Sequence, residues 1–351
     1  MSTLADRLRG VLRPSGQGST PPTPVPPFPP GESVAPGTMG RAPEPSAMPD
    51  GPRAGTRAAD AAEVLGGAWQ DVRGHRFATV DRRYLPGHRH GRVAVADGMP
   101  PAGGWARLPL LAGGACGSRL LFVDLETTGL AGGAGTQAFL VGCGWFDGGT
   151  FRIRQFLLTA PSAERGMLEA VAGLAGAADT VVTFNGKTFD LPLIETRYLF
   201  QRMETPFAGM PHVDMLHASR RLWRADEGDG GGCRLSELER ALCAHEREGD
   251  VPGFEIPARY FHFVRTGDAR PLEGVLEHNR LDLLSLALLT ARAAQLLDEG
   301  PHAARTAREA HGLGRFYERA GLLADARASF ARAAGLEGER LPGDDATRAE
   351  A

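Results

Sequence analysis

From Arg119 onward the hydrophobic positions fall into short blocks with clear periods. Leu120–Leu125 is an apolar run of strand length, and Ala138–Phe146 and Phe151–Leu158 repeat it across glycine-rich turns. Ser162 is placed to cap a helical stretch that ends at Leu174, and Val181–Phe184 reads as a fourth, short buried strand. Leu191–Met203 reads as a helix with Pro192 in its first turn, where the missing N–H costs no hydrogen bond. Val213–Trp223, Leu235–Cys243 and Leu281–Leu297 carry further helical periodicity. Three meandering strands followed by alternating helices and strands predict an α/β fold, with a mixed sheet flanked by helices.

The flanks read differently. Residues 61–115 show short strands only through Trp69, Phe77, Val80 and Tyr84, and are expected to be an extension packing on the core. Within them Gly87-His88-Arg89-His90-Gly91 reads as a basic surface turn, since its His-x-His has no third metal ligand nearby in sequence. Residues 1–60 hold 13 of the 26 prolines and too little apolar surface to offset ordering entropy, so a disordered arm is expected. Within that arm Leu4, Leu8, Val11 and Leu12 share one helical face beside Arg7, Arg9 and Arg13. They suit either a docking helix or a frayed terminus. The core is expected to span 116–299, followed by a helical hairpin over 300–340.

Composition narrows the function. The net charge of -3 excludes a strongly basic nucleic-acid coat but permits local basic walls. Cys116, Cys143, Cys233 and Cys243 lack CxxC spacing, which argues against a zinc ribbon or a disulfide framework. No membrane span or signal peptide is visible, and a cytoplasmic location is expected. Of the 39 cationic side chains only Lys187 is a lysine, which draws attention to its neighbours.

Three clusters carry chemistry. Asp124 and Glu126 alternate with Leu125 at the end of the first core strand, so both point to one face. Two carboxylates so close repel each other and resist desolvation, and a hard divalent cation would neutralise them. Solvation beyond the strand end would do the same. The second cluster is Thr183-Phe-Asn185-Gly-Lys187-Thr-Phe-Asp190. Here Asp190 could bind metal beside a phosphate-binding ammonium, or simply cap the helix that follows. The third is Glu277-His278-Asn279-Arg280-Leu281-Asp282, opening a leucine-rich helix on which His278 and Asp282 share a face. A capping acid with a satisfied histidine is the alternative.

In this order the clusters resemble the three exonuclease motifs of the DEDD nuclease superfamily on the ribonuclease-H-like fold. More narrowly, Phe184-Asn-Gly-Lys-x-Phe-Asp190, Cys233-Arg-Leu-Ser-x-Leu-Glu239, Pro252-Gly, Ile256-Pro and His278-Asn279 resemble the YprB-type ribonuclease-H-like domain, over about Leu120 to Leu297. The resemblance implies a 3′–5′ exonuclease on single-stranded DNA or RNA, with Asp124, Glu126, Asp190 and Asp282 holding two Mg²⁺ or Mn²⁺ ions. It makes His278 the general base and has Thr127, Thr128 and Leu130 hold the terminal nucleotide, with Asn185 and Lys187 beside the substrate. One spacing departs: His278 stands four residues before Asp282, where related families place tyrosine. The alternative function is a catalytically decayed binding or scaffold module.

Three secondary features complete the reading. Leu313-Gly314-x-x-Tyr317, Gly321, Ala326-x-x-x-Phe330 and Ala333 match a tetratricopeptide-like helical hairpin, either a cap on the domain or the stub of an array, and a site for a protein partner. Arg197, Arg202, Arg220, Arg221 and Arg224, with Tyr198 and Trp223, are expected to line a groove for single-stranded nucleic acid. Gly129–Gly135 looks like a phosphate loop but joins strand to strand, so a hairpin is expected.

Overall fold

The computed structural model describes residues 61–129, 135–224 and 233–339. The proline-rich arm with its apolar stripe, and most of the Gly129–Gly135 loop including Leu130, lie outside the described residues. In chain order the elements are α1 (Ala61–Val64), β1 (Ala68–Val72), β2 (His75–Tyr84), β3 (Arg89–His90), β4 (Val93–Ala94), α2 (Leu108–Ala112) and β5 (Leu120–Thr127). They continue with β6 (Ala138–Asp147), β7 (Thr150–Leu157), α3 (Glu164–Ala175), β8 (Thr180–Thr183), α4 (Asp190–Phe200), β9 (His212–Asp214) and α5 (Met215–Leu222). The chain then forms α6 (Leu235–Cys243), α7 (Ile256–Thr266), α8 (Glu273–Glu299), α9 (Ala307–Arg319) and α10 (Leu323–Glu339). Among the described residues no helix is long and apolar enough to cross a membrane.

Seven strands form one mixed sheet in the order β1-β2-β7-β6-β5-β8-β9. The five on the β1 side pair antiparallel, while β8 and β9 run parallel to β5. This is a ribonuclease-H-like arrangement, and the expected α/β class stands. Side-chain alternation along β5 divides the core. Leu121, Val123 and Leu125 join the face covered by α3, α4 and α7, whereas Leu120 and Phe122 join the face covered by α5, α8 and α9. Asp124 and Glu126 therefore belong to the second face. Helix α8 contributes Val275 and Leu276 to the first core and Leu283 onward to the second. Its His278–Asp282 segment lies between the two.

Residues 61–115 contribute β1 and β2 to the same sheet, and Trp105, Leu108 and Leu111 to the second core. At the other end α9 and α10 form a helical hairpin closed by a near contact. A Cβ on Gly314 would lie 2.4 Å from Phe330 Cε1, so only glycine lets the two helices approach this closely. The hairpin caps the domain. Glu309 of α9 accepts hydrogen bonds from Trp223 Nε1 (3.0 Å) and from Arg292 of α8 (3.1 Å).

Several local expectations are corrected. Val213 belongs to β9, and the helix starts only at Met215, because Asp214 pairs in the sheet and then caps α5 by accepting from Leu216 N–H. Ser162 caps nothing. It sits in a 3₁₀ turn, and its carbonyl meets His75 Nδ1 at 2.7 Å. Helix α8 begins at Glu273, so His278 and Asp282 lie inside it and Asp282 is not a capping acid. Its polar first turns hid the start from a reading based on apolar spacing. Helix α7 was not anticipated.

The Gly87–Gly91 turn is at the surface through Gly87, His88 and Arg89, which are exposed, but not at His90. Arg89–His90 pairs with Val93–Ala94, and His90 is buried against Glu239 and Ser285. The expected groove loses two of its residues to the interior, while Arg202, Arg220 and Arg224 are exposed. Arg197 is buried in a two-pronged ion pair with Glu164, and Tyr198 is fully buried with its hydroxyl donating to Leu168 O. Trp223 and Arg221 are engaged by Glu309 and the Phe316 ring.

Candidate functional site

Asp124 is held by a relay from two other elements. Its strand partner is Gly142 on β6, which pairs in turn with Gln155 on β7. Gln155 Nε2 donates to Asn279 Oδ1 (2.8 Å) and to Leu276 O (2.7 Å). The fully buried Asn279 then donates from Nδ2 to the carboxylate of Asp124 (2.7 Å) and to its carbonyl (3.1 Å). Gly142 is small for this reason, since a Cβ there would stand 2.2 Å from Asn279 Oδ1. Register, glycine and two buried amides together fix where the first acid points.

Glu126 lies just before a register irregularity at Glu126/Thr127, where β5 departs from β6. Beyond it the Thr127 hydroxyl donates to Gly129 O, and Thr128 exchanges hydrogen bonds with Gln137 through its backbone N–H and its hydroxyl. Both threonines are thus at the end of the acid-bearing strand, as the sequence places them.

The second cluster is shaped by a residue that sequence reasoning missed. Asp214 is buried at the start of α5, and its carboxylate accepts backbone N–H bonds from Asn185 (2.8 Å), Lys187 (3.0 Å) and Leu216 (3.1 Å). That grip holds Asn185 in a left-handed conformation (φ 68°). Gly186 is bound to Thr183 Oγ1, which also meets His212 Nε2 at 2.7 Å. The turn delivers Asp190 as the first residue of α4, with exposed Lys187 just ahead of it. Asp190 is inside the helix start and Phe189 is the capping residue, so its carboxylate is free of that duty. Burial pushes the His212 imidazole down to about 4, with Lys187 adding to that direction.

The third cluster is richer than its sequence. Asp282 Oδ1 accepts from Arg247 Nη2 at 2.5 Å, and Asp282 Oδ2 stands 3.5 Å from His278 Nε2. Arg247 also donates to Glu239 (2.6 Å) and Asp250 (3.2 Å), and Asp250 meets His278 Nδ1 at 2.7 Å. Glu239 in turn binds His90 (2.6 Å) and Ser285 (2.7 Å). Arg247, Asp250, Glu239 and His90 come from three separate stretches of chain. In sequence Glu239 and His90 stand out, within Cys233–Glu239 and the His-x-His turn, whereas Arg247 and Asp250 do not.

Electrostatics unites the clusters. Burial, then the charges of Asp282, Glu126 and Asp190, raises Asp124 well above the usual carboxylate range. Glu126 is raised the same way, by burial and then by Asp282, Asp190 and Asp250. Asp190 is pushed up to about 7, chiefly by burial, against backbone N–H groups that favour its charged form. Asp282 is also raised by burial, with Arg247 and His278 opposing. Glu239 goes the other way: bonds from His90, Arg247 and Ser285 outweigh its desolvation and hold it low.

Four half-buried acids that repel one another, with one arginine nearby, form a donor set suited to hard divalent cations bound through oxygen. Asp124, Glu126, Asp190 and Asp282 are the residues that would hold them. Among the described residues the group whose donor atoms all lie within 4.8 Å of one another is a different one, His90, Glu239 and His245. There the Glu239 charge is already met by Arg247, and His245 is stacked on His90 with ring centroids 4.1 Å apart.

Sheet order, the acid-bearing β5 and the long helix packed against it define a ribonuclease-H-like fold. Residues 121–294 match the RNase_H_2 family model and form an RNase_H-superfamily domain. The chain is similar to the uncharacterized protein YprB of Bacillus subtilis (strain 168), at 31% identity over 239 residues. The alignment covers 67% of this chain and 57% of YprB, so the chain spans little more than half of that relative's length. Among solved structures, the family B DNA polymerase of Pyrobaculum calidifontis is similar at a TM-score of 0.39 and 14% identity. That match covers 57% of this chain and 29% of the polymerase, a likeness too distant to argue from.

Proposed function

We propose that this protein is a metal-dependent nuclease that hydrolyses phosphodiester bonds, acting as a 3′–5′ exonuclease on single-stranded DNA or RNA. The observation that carries this reading is the gathering of four half-buried acids, Asp124, Glu126, Asp190 and Asp282, from three chain segments, with Arg247 and His278 beside Asp282. The superfamily match supports nuclease chemistry, and the order of the three motifs supports the exonuclease polarity. Two Mg²⁺ or Mn²⁺ ions bound by these acids would supply an activated water and neutralise charge developing on the leaving oxygen.

The chain's own residues do the rest. His278 takes the proton of the attacking water at Nε2. Lys187 and the backbone of Asn185 meet the phosphate, a compact ammonium suiting a tight anionic site. The backbone at Thr127–Thr128 and the side chain of Leu130 hold the terminal nucleotide. The helical hairpin offers its outer surface to a protein partner.

The test is digestion of end-labelled DNA and RNA oligonucleotides with Mg²⁺, Mn²⁺ or EDTA. Metal-dependent shortening from the 3′ end is expected, lost in EDTA and lost in Asp124→Asn. No cleavage of either nucleic acid, or undiminished cleavage by that variant, overturns the proposal. Binding without cleavage would point to a decayed scaffold.

A further inference from the structure

The loop between α6 and α7 sends two side chains, Arg247 and Asp250, into the third acid cluster. Asp250 uses both oxygens. Oδ1 meets His278 Nδ1 at 2.7 Å and also accepts Val251 N–H at 2.9 Å, while Oδ2 accepts from Arg247 Nη1 at 3.2 Å. Arg247 is itself pinned, with Nε on Glu239 and Nη2 on Asp282. Its side chain is 6% exposed. Both groups next to His278 are therefore fixed by a buried cation and are not free to drift.

We propose that Asp250 is a positioning residue that sets the tautomer and aim of His278. An ionised carboxylate only accepts hydrogen bonds, so the 2.7 Å contact puts the ring proton on Nδ1. The lone pair of a neutral ring then sits on Nε2, on the side of Asp282. The distances agree. At 3.5 Å the Nε2–Asp282 separation is too long for a good hydrogen bond, whereas the Nδ1 contact is short. Because His278 and Asp282 are one helical turn apart, they already share a face, and Asp250 fixes the remaining ring rotation. The groups facing the ring are thus Asp250 on one nitrogen and Asp282 on the other, with Arg247 between the two acids. Only the consequence for turnover rests on the nuclease reading.

The experiment has two arms on the full chain. In the first, long-range ¹⁵N–¹H NMR reads the tautomer of His278, picked out among the ten histidines by its loss in His278→Gln. Spectra are taken above the ordinary histidine range, at about pH 8.5. The expected result is Nδ1–H in wild type, shifting towards Nε2–H in Asp250→Ala. An Nε2–H ring in wild type, or no change in Asp250→Ala, overturns the proposal whether or not the protein cleaves nucleic acid.

In the second arm, cleavage kinetics compare wild type, Asp250→Ala and Asp250→Asn. Asp250→Ala is expected to lower kcat by roughly 10–100-fold with KM within about twofold. Asp250→Asn keeps an acceptor oxygen and should fall between. An unchanged kcat in Asp250→Ala, with wild type active, overturns the role in turnover. An inactive wild type with the expected tautomer overturns the nuclease reading and leaves the positioning intact.

Discussion

Asp190→Asn isolates the cost of the acid cluster, because asparagine keeps the shape and one acceptor oxygen while removing the charge. Burial pushes the Asp190 carboxyl from the ordinary 3.8 up to about 7. The folded chain therefore keeps this proton after the unfolded chain has lost it. Stability of the metal-free protein falls as pH rises between those two values and is flat above them. Each pH unit in that window is worth about 1.4 kcal/mol, so the ionised group costs the fold on the order of 4 kcal/mol at about pH 8. At about pH 5 the cost is nearer ~1.5 kcal/mol, and below about pH 4 it vanishes. Water reaching a half-buried carboxyl reduces these figures.

In EDTA, then, Asp190→Asn is expected to melt higher than wild type by roughly 3–8 °C at about pH 8, and by less than half of that at about pH 5. Adding Mn²⁺ should raise the wild type and leave the variant behind, since the proposed function makes the wild-type acid a ligand. The assay is thermal unfolding followed by fluorescence at both pH values, with and without metal. An Asn variant that melts lower in EDTA at the higher pH, or a gap that does not widen with pH, would refute the account of these acids as mutually repelling and metal-seeking.

Two further perturbations probe how the site is built. Gly142→Ala puts a Cβ 2.2 Å from Asn279 Oδ1 and so displaces the amide that holds Asp124. A loss of about 1–3 kcal/mol in urea unfolding is expected, with a fall in cleavage, and an unchanged midpoint would show that the relay is slack. Lys187→Ala should weaken oligonucleotide binding or turnover and Lys187→Arg should restore it only in part, because a guanidinium is larger and planar. Full activity in the alanine variant would remove Lys187 from the site.

Much of the core was legible because it depends on local spacing. The run Leu120–Leu125 and the two strands after it have the period of a sheet, and the alternation that buries Leu121, Val123 and Leu125 necessarily turns Asp124 and Glu126 the other way. Asp190 could be placed at the start of a helix because Pro192 suits a helix's first turn. Boundaries were less secure where polar residues continue a helix, as in the first turns of α8, or where the last residue of a short strand caps the next helix, as at Asp214.

What only the tertiary structure decided is which charges meet. Nothing near His90 in sequence suggests Glu239 or Ser285, which lie more than a hundred residues away and reach it through packing of α6 and α8, with Arg247 joined through Glu239. Arg197 and Tyr198 fit a basic aromatic groove by composition, yet helix α4 turns both towards α3, where Glu164 and Leu168 O satisfy them. Periodicity says which side of an element is apolar. It does not say which polar groups on other elements that side will face. A buried charge must find a partner, and the partner is fixed by sheet order and helix crossing, so Arg247 and Asp250 became visible as parts of the site only when the chain was folded.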